Sequence, residues 1–532
     1  MIAGDARPAP SALAVNGMVA SPHPLATSAG LAALRDGGTA IDAVIAANAV
    51  LTVVYPDQTA IGGDCFILAY ESASGRLQGI NGSGRSPLAA DRRALRETGD
   101  GSMPVRGIHA VTVPGTIDAW ERALALGGRL GLDRLVQPAI ELARDGFPVT
   151  EALARRIALA KPVVDSHPGI AALIAPGGRL PARGDRLQSP DLARTLEQIG
   201  RVGRDAFYGG AFADAFVRTS KRLGGYFSLD DLGQHRAEAV EPVTTGYRGV
   251  TVAEVPPNAQ GLTALLGLNM VEHEPVAPWG TAEHLHPLIE AKKIAFAVRN
   301  ERLGDPRFTM IDAGQLLSKS FARRLWTQYD PSRARAAPST RAGDTVYLCA
   351  VDRDGNAASL IQSLYMAFGS GVVVDGTGVV LQNRGAAFSL DDDHPNRLEG
   401  GKRPRHTLMP GMLLEGDRLL GPIGSQGGDA QAQIRLQLVT NLVDYGLEPQ
   451  VAIDAPRWIA GGDVDDPATL ITLEDRFPAA TFGGLETRGH HVSRTAAWDP
   501  TFGHAQMILR DLETGLLRGA ADPRADGLAL GY

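Results

Sequence analysis

One threonine in this chain stands where it could become a catalytic nucleophile. Thr345 follows Gly343-Asp344 and opens an apolar run, 345–351, after a basic stretch with Pro and Ala, 330–342. A threonine inside a chain is a weak nucleophile, but a cut before Thr345 would give it a free α-amine with a pKa of about 7.7–8.0. Such an amine can act as the base for the threonine's own hydroxyl. From this run alone, a β-branched residue that opens a strand is the simpler interpretation.

The residues after Thr345 predict a β-hairpin. The turn Asp352-Arg353-Asp354-Gly355-Asn356 separates the run 345–351 from a second apolar run, 357–364. Asp-Gly-Asn between two apolar runs is a hairpin signal. Thr345 is therefore expected at the first position of a strand, directly after a loop.

A glycine turn near residue 427 is the second candidate for chemistry. The stretch Gly421-Pro422-Ile423-Gly424-Ser425-Gln426-Gly427-Gly428-Asp429 follows a predicted strand and precedes a predicted helix, 430–445. Backbone N–H groups at such a turn and helix N-terminus form an anion site. The turn is either a phosphate cradle or an oxyanion hole, and the missing Lys-Ser/Thr disfavours a P-loop.

Composition and charge bound the class of protein. The chain has 532 residues, 44% of them hydrophobic, and a formal net charge of −7, which gives no reason to expect a nucleic acid or an anionic membrane as partner. Cys65 and Cys349 show no zinc-type spacing and are predicted to be core residues. Residues 1–16 lack the pattern of a secretory signal, and the apolar stretch 41–55 is too short to span a bilayer, so a cytoplasmic protein is expected.

Helical periodicity is predicted over 23–55 with a break at Gly37-Gly38, over much of 132–220, and over 281–303. The last of these contains His284, His286 and Glu290. Only His286 and Glu290 share a helix face. A polar pair is a simpler interpretation than a metal site.

Motifs along nearly the whole chain resemble the gamma-glutamyltransferase (gamma-glutamyltranspeptidase) family of N-terminal-nucleophile hydrolases. Each motif is weak alone, but their common order is specific. In sequence order they are His23-Pro24-Leu25-Ala26, Gly37-Gly38-Thr39-Ala40-Ile41-Asp42-Ala43, Gly62-Gly63-Asp64, Val113-Pro114-Gly115-Thr116, Gly146-Phe147-Pro148-Val149, Glu290-Ala291-Lys292-Lys293-Ile294-Ala295-Phe296, Leu303-Gly304-Asp305-Pro306, Gly343-Asp344-Thr345, Lys402-Arg403-Pro404, Asp454-Ala455-Pro456-Arg457 and Asp522-Pro523-Arg524.

The resemblance implies a four-layer αββα sandwich, of mixed α/β (α+β) class, and a proenzyme that cuts itself between Asp344 and Thr345. The products would be a large subunit, 1–344, and a small subunit, 345–532, which stay together as one αββα unit. Whether two such units form a homodimer is left open.

The resemblance also assigns catalytic roles. Thr345 would attack a substrate amide and form an acyl-enzyme, which water or an acceptor amine then resolves. The N–H groups of Gly427 and Gly428 would hold the oxyanion, and Ser363 would position the α-amine of Thr345. This chemistry requires neither a cofactor nor a catalytic metal.

The departures from the family pattern concern the substrate. Family members hold the α-carboxylate of a gamma-glutamyl group with an arginine, matched by Arg85, and with a Ser-Ser pair, replaced here by His406-Thr407. They hold the α-amine with an Asn and an Asp, replaced here by Tyr365 and Ala387. Because a buried ammonium without an acidic partner is costly, the predicted substrate is a small amide that carries a carboxylate and needs no α-amine. This is similar to the branch that includes oxamate amidohydrolase and glutaryl-type (cephalosporin) acylases.

Two alternatives stay open. The first is a true gamma-glutamyl hydrolase or transpeptidase that acts on glutathione and gamma-glutamyl amides with an altered amine pocket. The second belongs to another class, an uncut homologue that binds a small anion without consuming it. The retained Gly343-Asp344-Thr345, Ser363 and Gly427-Gly428 disfavour the second.

Overall fold

Strands and helices are distributed along the whole computed structural model, which describes residues 10–99, 101–336, 343–461 and 470–532. The predicted loop 330–342 lies outside the described residues from 337 onward, as do residues 1–9. Within the described ranges the strands are β1 (Ala12–Ala14), β2 (Met18–Ser21), β3 (Asp64–Glu71), β4 (Arg76–Gly82), β5 (Phe147–Pro148), β6 (Arg186–Leu187), β7 (Glu238–Val240), β8 (Val243–Tyr247), β9 (Val250–Glu254), β10 (Asp344–Val351), β11 (Ala357–Tyr365), β12 (Val373–Val374), β13 (Val379–Val380), β14 (Gly411–Glu415), β15 (Arg418–Ser425), β16 (Trp458–Ala460), β17 (Leu470–Glu474), β18 (His491–Thr495), β19 (Ala505–Arg510), β20 (Leu517–Ala521) and β21 (Leu528–Gly531).

The helices of the same ranges are α1 (Pro24–Arg35), α2 (Ala40–Val54), α3 (Arg92–Thr98), α4 (Thr116–Gly127), α5 (Leu132–Asp145), α6 (Glu151–Leu159), α7 (Lys161–Ser166), α8 (Pro168–Ile174), α9 (Pro190–Val202), α10 (Arg204–Tyr208), α11 (Ala211–Arg222), α12 (Leu229–Gly233), α13 (Gly261–Val271), α14 (Ala282–Arg302), α15 (Ala313–Leu316), α16 (Lys319–Trp326), α17 (Ala430–Val443), α18 (Pro449–Asp454) and α19 (Ala479–Thr487). Within these described ranges, no helix combines the length and apolar character that a membrane crossing needs.

Two antiparallel sheets form the centre of the described structure. Sheet I has the strand order β1-β20-β19-β15-β14-β9-β8, and sheet II has the order β21-β2-β10-β11-β3-β4-β7. Both sheets combine strands from before and after the predicted cut at Asp344. The two halves of the chain are therefore interleaved.

Each face of the two sheets is covered. Between the sheets lies an apolar layer that includes Phe66 and Tyr347 from sheet II and Met412 and Ile508 from sheet I. Helices α1 and α2 pack on the outer face of sheet II. Helices α13, α14 and α17 lie on the outer side of sheet I. The predicted four-layer αββα sandwich is confirmed.

Helix α2 supports the strand that carries Thr345. Every residue of α2 is buried, as expected for a helix that is apolar all round. It begins after the predicted break at Gly37-Gly38 with a capping box, in which the Asp42 carboxylate accepts from the Thr39 backbone N–H at 2.7 Å. The Asp352 carboxylate accepts from the N–H of Ala40 at 3.1 Å, which ties the helix to the hairpin turn.

The predicted hairpin is confirmed as β10 and β11. The carboxylate of Asp352 accepts from the N–H of Asn356 at 3.0 Å, and Gly355 adopts a φ of +81°, where glycine is favoured. Cys349 on β10 and Cys65 on β3 are buried free thiols, as predicted.

Candidate active site

Thr345 lies at a β-bulge at the start of β10. Asp344 pairs with Tyr365 while Val346 pairs with Gln362, so the register shifts at Thr345. A bulge of this kind re-aims one side chain. The start of β10 pairs with β11, and β2 pairs with β10 only from Cys349 onward, so Thr345 lies at the end of an inner strand of sheet II. Its side chain is buried.

The hydroxyl of Ser363 connects the groups that self-cleavage would use. Ser363 Oγ accepts a hydrogen bond from Thr345 Oγ1 at 3.2 Å and donates one to the carbonyl oxygen of Asp344 at 2.5 Å. It also accepts from the N–H of Tyr365 at 2.7 Å. One serine thus contacts both the hydroxyl that would attack and the carbonyl that would be attacked. Its role toward a free α-amine stays a prediction.

The glycine turn after β15 adjoins this peptide. Gly427 and Gly428 have φ angles of +135° and +55°, which favour glycine. A Cβ placed on Gly343 would lie 3.1 Å from the Cα of Gly428, so the turn contacts the chain two residues before Thr345. Helix α17 begins directly after the turn, as the sequence predicts. The oxyanion role of the two glycines stays a prediction.

Gln260 holds the glycine turn in place through hydrogen bonds, and no sequence motif identifies it as a site residue. Its side-chain amide donates to the carbonyl oxygens of Gly428 at 3.2 Å and Thr407 at 3.0 Å. Its oxygen accepts from Arg299 at 2.7 Å, and Arg299 pairs with Asp429 at 2.7 Å. This buried network joins the turn to the segment that carries His406 and Thr407.

His406 forms a buried pair with Asp64. Their Nε2 and Oδ2 atoms share a hydrogen bond of 3.0 Å, and Asp64 Oδ1 accepts from the N–H of Gly84 at 3.0 Å. Burial raises the pKa of Asp64 to about 7 and lowers the pKa of His406 well below its usual value. The imidazole is therefore neutral at neutral pH.

Arg85 is already paired within the protein. Its guanidinium binds the carboxylates of Glu238 at 2.8 Å and Asp305 at 3.1 Å, and it donates to the carbonyl oxygen of Gly401 at 3.2 Å. A substrate carboxylate would have to compete with these two side chains. The predicted role of Arg85 as a carboxylate anchor stays a prediction.

Tyr365 departs from ordinary strand geometry. Its φ is +82°, a value that costs a non-glycine residue on the order of 1–3 kcal/mol. A Cβ on Gly343 would lie 3.1 Å from the carbonyl oxygen of Tyr365 and 3.4 Å from a carbon of its ring. The aromatic ring thus lies at the place where the chain enters the candidate site.

Arg384 is a site residue that the sequence pattern does not reveal directly. It is 1% exposed, its guanidinium carbon lies 4.0 Å from the centre of the Tyr365 ring, and its Nη1 donates to Thr407 Oγ1 at 3.0 Å. Arg384 and Ala387 begin and end one 3₁₀ turn, so Arg384 lies on the same short element as the position where the resemblance implies the acidic partner of an α-amine.

The carboxyl group of Asp344 lies beside an ion pair. Arg156 Nε binds the carboxylate of Asp57 at 2.7 Å. Burial, followed by the charge of Asp57, raises the pKa of Asp344 to about 7. This side chain therefore titrates near neutral pH, next to the peptide bond that would be cut.

A second buried cluster joins residues far apart in the chain. His286 and Glu290, the predicted pair on one helix face, meet His490, with His286 Nδ1 and His490 Nε2 2.8 Å apart. Lys293 donates to the Glu290 carboxylate at 2.7 Å and to the carbonyl oxygen of Arg335 at 2.7 Å. The ammonium supplies the positive charge at this carboxylate, and the cluster anchors the segment that leads toward the predicted cut.

Comparisons with known proteins agree over the full length. A family model described as Gamma-glutamyltranspeptidase matches residues 26–532. The chain is 40% identical over 524 residues to the glutathione hydrolase-like YwrD proenzyme of Bacillus subtilis, with 98% of this chain and 99% of that protein covered. It is 37% identical over 529 residues to the oxamate amidohydrolase proenzyme of Klebsiella pneumoniae, with the same coverage of 98% and 99%. The crystal structure of cephalosporin acylase from Bacillus halodurans matches with a TM-score of 0.93 and 38% identity, covering 100% of this chain and 99% of that one.

Proposed function

The chain belongs to the gamma-glutamyltranspeptidase family, whose relatives named above are hydrolases and acylases, and from this premise we propose that it is a self-processing amidohydrolase with Thr345 as nucleophile. The observation that carries the proposal is the contact of Ser363 with both Thr345 Oγ1 and the Asp344 carbonyl oxygen. A threonine with only a structural role in a strand would not need one serine hydroxyl to contact both its own hydroxyl and the carbonyl oxygen of the residue before it.

Self-cleavage would proceed by attack within the chain. Thr345 Oγ1 adds to the carbonyl carbon of Asp344, and Ser363 donates to the oxygen on which negative charge develops. The C–N bond between Asp344 and Thr345 breaks, the nitrogen takes up the hydroxyl proton, and an ester remains. Water then hydrolyses the ester, which leaves a carboxylate on Asp344 and a free α-amine on Thr345.

Substrate turnover would reuse the same hydroxyl. The α-amine of Thr345 takes the Oγ1 proton as the oxygen attacks the substrate amide. The N–H groups of Gly427 and Gly428 receive the oxyanion, and one such donor lowers a barrier by roughly 2.7–4 kcal/mol. The α-ammonium returns its proton to the departing amine. Water, or an acceptor amine, then releases the acyl group.

The proposed substrate is an amide that carries a carboxylate on its acyl part, of the oxamate or glutaryl type. Tyr365 and Ala387 offer no carboxylate for an α-ammonium, and one relative is named an oxamate amidohydrolase. A second candidate is a gamma-glutamyl hydrolase, because another relative is named glutathione hydrolase-like. Turnover rates for oxamate, a glutaryl amide and gamma-glutamyl anilide separate them, and a large preference for the gamma-glutamyl compound would reject the first.

The intact mass of the purified protein tests the nucleophile. The wild type should yield two chains, 1–344 and 345–532, while Thr345→Ala should remain one chain. Thr345→Ser is the matched control, since it keeps a hydroxyl and should still be cut. A wild-type chain that stays uncut would reject the proposal and favour a homologue that binds an anion without consuming it.

A further inference from the structure

The guanidinium of Arg384 is buried with one edge unsatisfied. Nη1 donates to Thr407 Oγ1 at 3.0 Å, whereas Nη2 has no hydrogen-bond partner among the described residues. A buried donor attached to a charge is costly when it is left without an acceptor. An acceptor for Nη2 has to be a group that the described residues do not supply.

Contacts on two sides connect Arg384 with the hairpin of Thr345 and with the glycine turn. On one side Arg384 stacks on Tyr365, which pairs with Asp344 in the hairpin. On the other side Thr407 is linked through Gln260 to the carbonyl oxygen of Gly428. Arg384 is therefore linked through Tyr365 to Asp344, and through Thr407 and Gln260 to the glycine turn.

The nearby carboxylates are occupied by other partners. Asp64 bonds to His406 and to the N–H of Gly84, and Asp429 pairs with Arg299. Burial lowers the pKa of Arg384 to about 10, so the guanidinium still carries its charge at neutral pH. The buried guanidinium of Arg384 thus carries a positive charge to which neither Asp64 nor Asp429 makes a direct hydrogen bond among those of the described residues.

We propose that Arg384 binds the carboxylate of the substrate's acyl group and so selects for carboxylate-bearing amides; the inference rests on the proposed function. Nη2 supplies one donor. Thr407 Oγ1 accepts from Arg384 and keeps its own proton, which supplies a second donor to the same carboxylate. A substrate ammonium would be repelled by this charge.

Arg85 is the competing anchor. Its guanidinium is neutralised by Glu238 and Asp305, so a bound carboxylate would have to displace an existing partner. Arg384 needs no such exchange. The two arginines therefore make different predictions for variants.

The kinetic test compares amides with and without a carboxylate. Oxamate, succinamate and glutaramate are each paired with the diamide of the same length, which is neutral. Arg384→Gln should lower kcat/KM for the preferred monoamide roughly 10- to 150-fold, mainly through KM, and leave the diamide within about threefold. Arg384→Lys should fall between, because a lysine keeps the charge and loses the planar fork. Arg222→Gln, an exposed arginine, is the control for loss of a charge.

A binding measurement keeps this inference separate from the proposed function. Calorimetric titration of the processed protein with oxalate, succinate and glutarate should detect binding that Arg384→Gln weakens at least about tenfold. If the wild type is cut but hydrolyses no amide of the series, the substrate proposal fails while this titration still tests Arg384.

Three outcomes would overturn the inference. The first is unchanged affinity of Arg384→Gln for the dicarboxylates, and the second is a wild type that binds none of them. The third is monoamide selectivity that Arg85→Gln removes and Arg384→Gln retains. Self-cleavage of each variant, read from its mass, reports that its site has folded.

Discussion

Replacing Ser363 by alanine should slow self-cleavage far more than it lowers stability. The substitution removes the 2.5 Å hydrogen bond to the Asp344 carbonyl oxygen and the 3.2 Å contact with Thr345 Oγ1. In the transition state the carbonyl oxygen carries negative charge, so the lost donor is equivalent to one oxyanion-hole donor. Such a donor is worth roughly 2.7–4 kcal/mol, which corresponds to a rate loss of about 10²–10³-fold.

The assay is the fraction of cut chain against time, measured by intact mass after synthesis of the precursor in a cell-free system. Ser359→Ala is the matched control, because Ser359 is buried on the same strand and bonds to the Tyr347 hydroxyl at 2.8 Å, away from the scissile peptide. It should be cut at close to the wild-type rate, and Ser363→Thr should recover part of the rate. If Ser363→Ala were cut as fast as Ser359→Ala, the proposed polarisation of the Asp344 carbonyl would be wrong.

Other substitutions test the surroundings of the site. Gly343→Ala should slow self-cleavage on the order of tenfold, because its Cβ would press on Gly428 at 3.1 Å; the same mass assay checks this, and a wild-type rate contradicts it. Burial lowers the pKa of His23 to about 4. Between about pH 6.5 and pH 4 the unfolded chain therefore binds a proton at His23 that the folded chain does not bind, and the free energy of unfolding falls as the pH is lowered. His23→Asn should therefore reduce the difference in unfolding free energy between about pH 7 and pH 5 by up to ~2 kcal/mol, measured by denaturant titration. An unchanged difference would show that the pKa of His23 is not lowered by folding. Arg524→Met should cost about 3–5 kcal/mol of unfolding free energy, since it leaves the fully buried Asp522 carboxylate with one cation fewer, and a loss below about 1 kcal/mol would contradict this.

Local signals explain what the sequence could predict. The turn 352–356, the break at Gly37-Gly38 and the glycines at 427 and 428 each impose a backbone conformation on their own neighbourhood. The hairpin, helix α2 and the turn before α17 follow from such signals. Ser363 and Thr345 come together because one hairpin joins their strands.

Non-local contacts explain what the sequence could not predict. Gln260 reaches Gly428 and Thr407 from a separate part of the chain, and His490 joins His286 across the fold. No motif marks Arg384. Its Nη2 lacks a partner among the described residues because Tyr365 covers the face of the guanidinium and Thr407 accepts only from Nη1. Side-chain contacts between residues far apart in the chain depend on the tertiary structure, so the periodicity and spacing of the sequence do not predict them.

The interleaving of the two sheets changes the molecularity of folding once the chain is cut. Sheet I takes β1, β8 and β9 from one side of Asp344 and its other strands from the other side, and sheet II is divided in the same manner. Before the proposed cut, refolding is a first-order event within one chain. After it, denaturation releases two polypeptides, each with its own translational freedom, and recovery requires them to meet. The melting temperature of the cut protein should then rise with protein concentration. After denaturation, the cut protein should refold poorly at low concentration, whereas the uncut chain should refold at any concentration, so unfolding becomes effectively irreversible once the chain is cut.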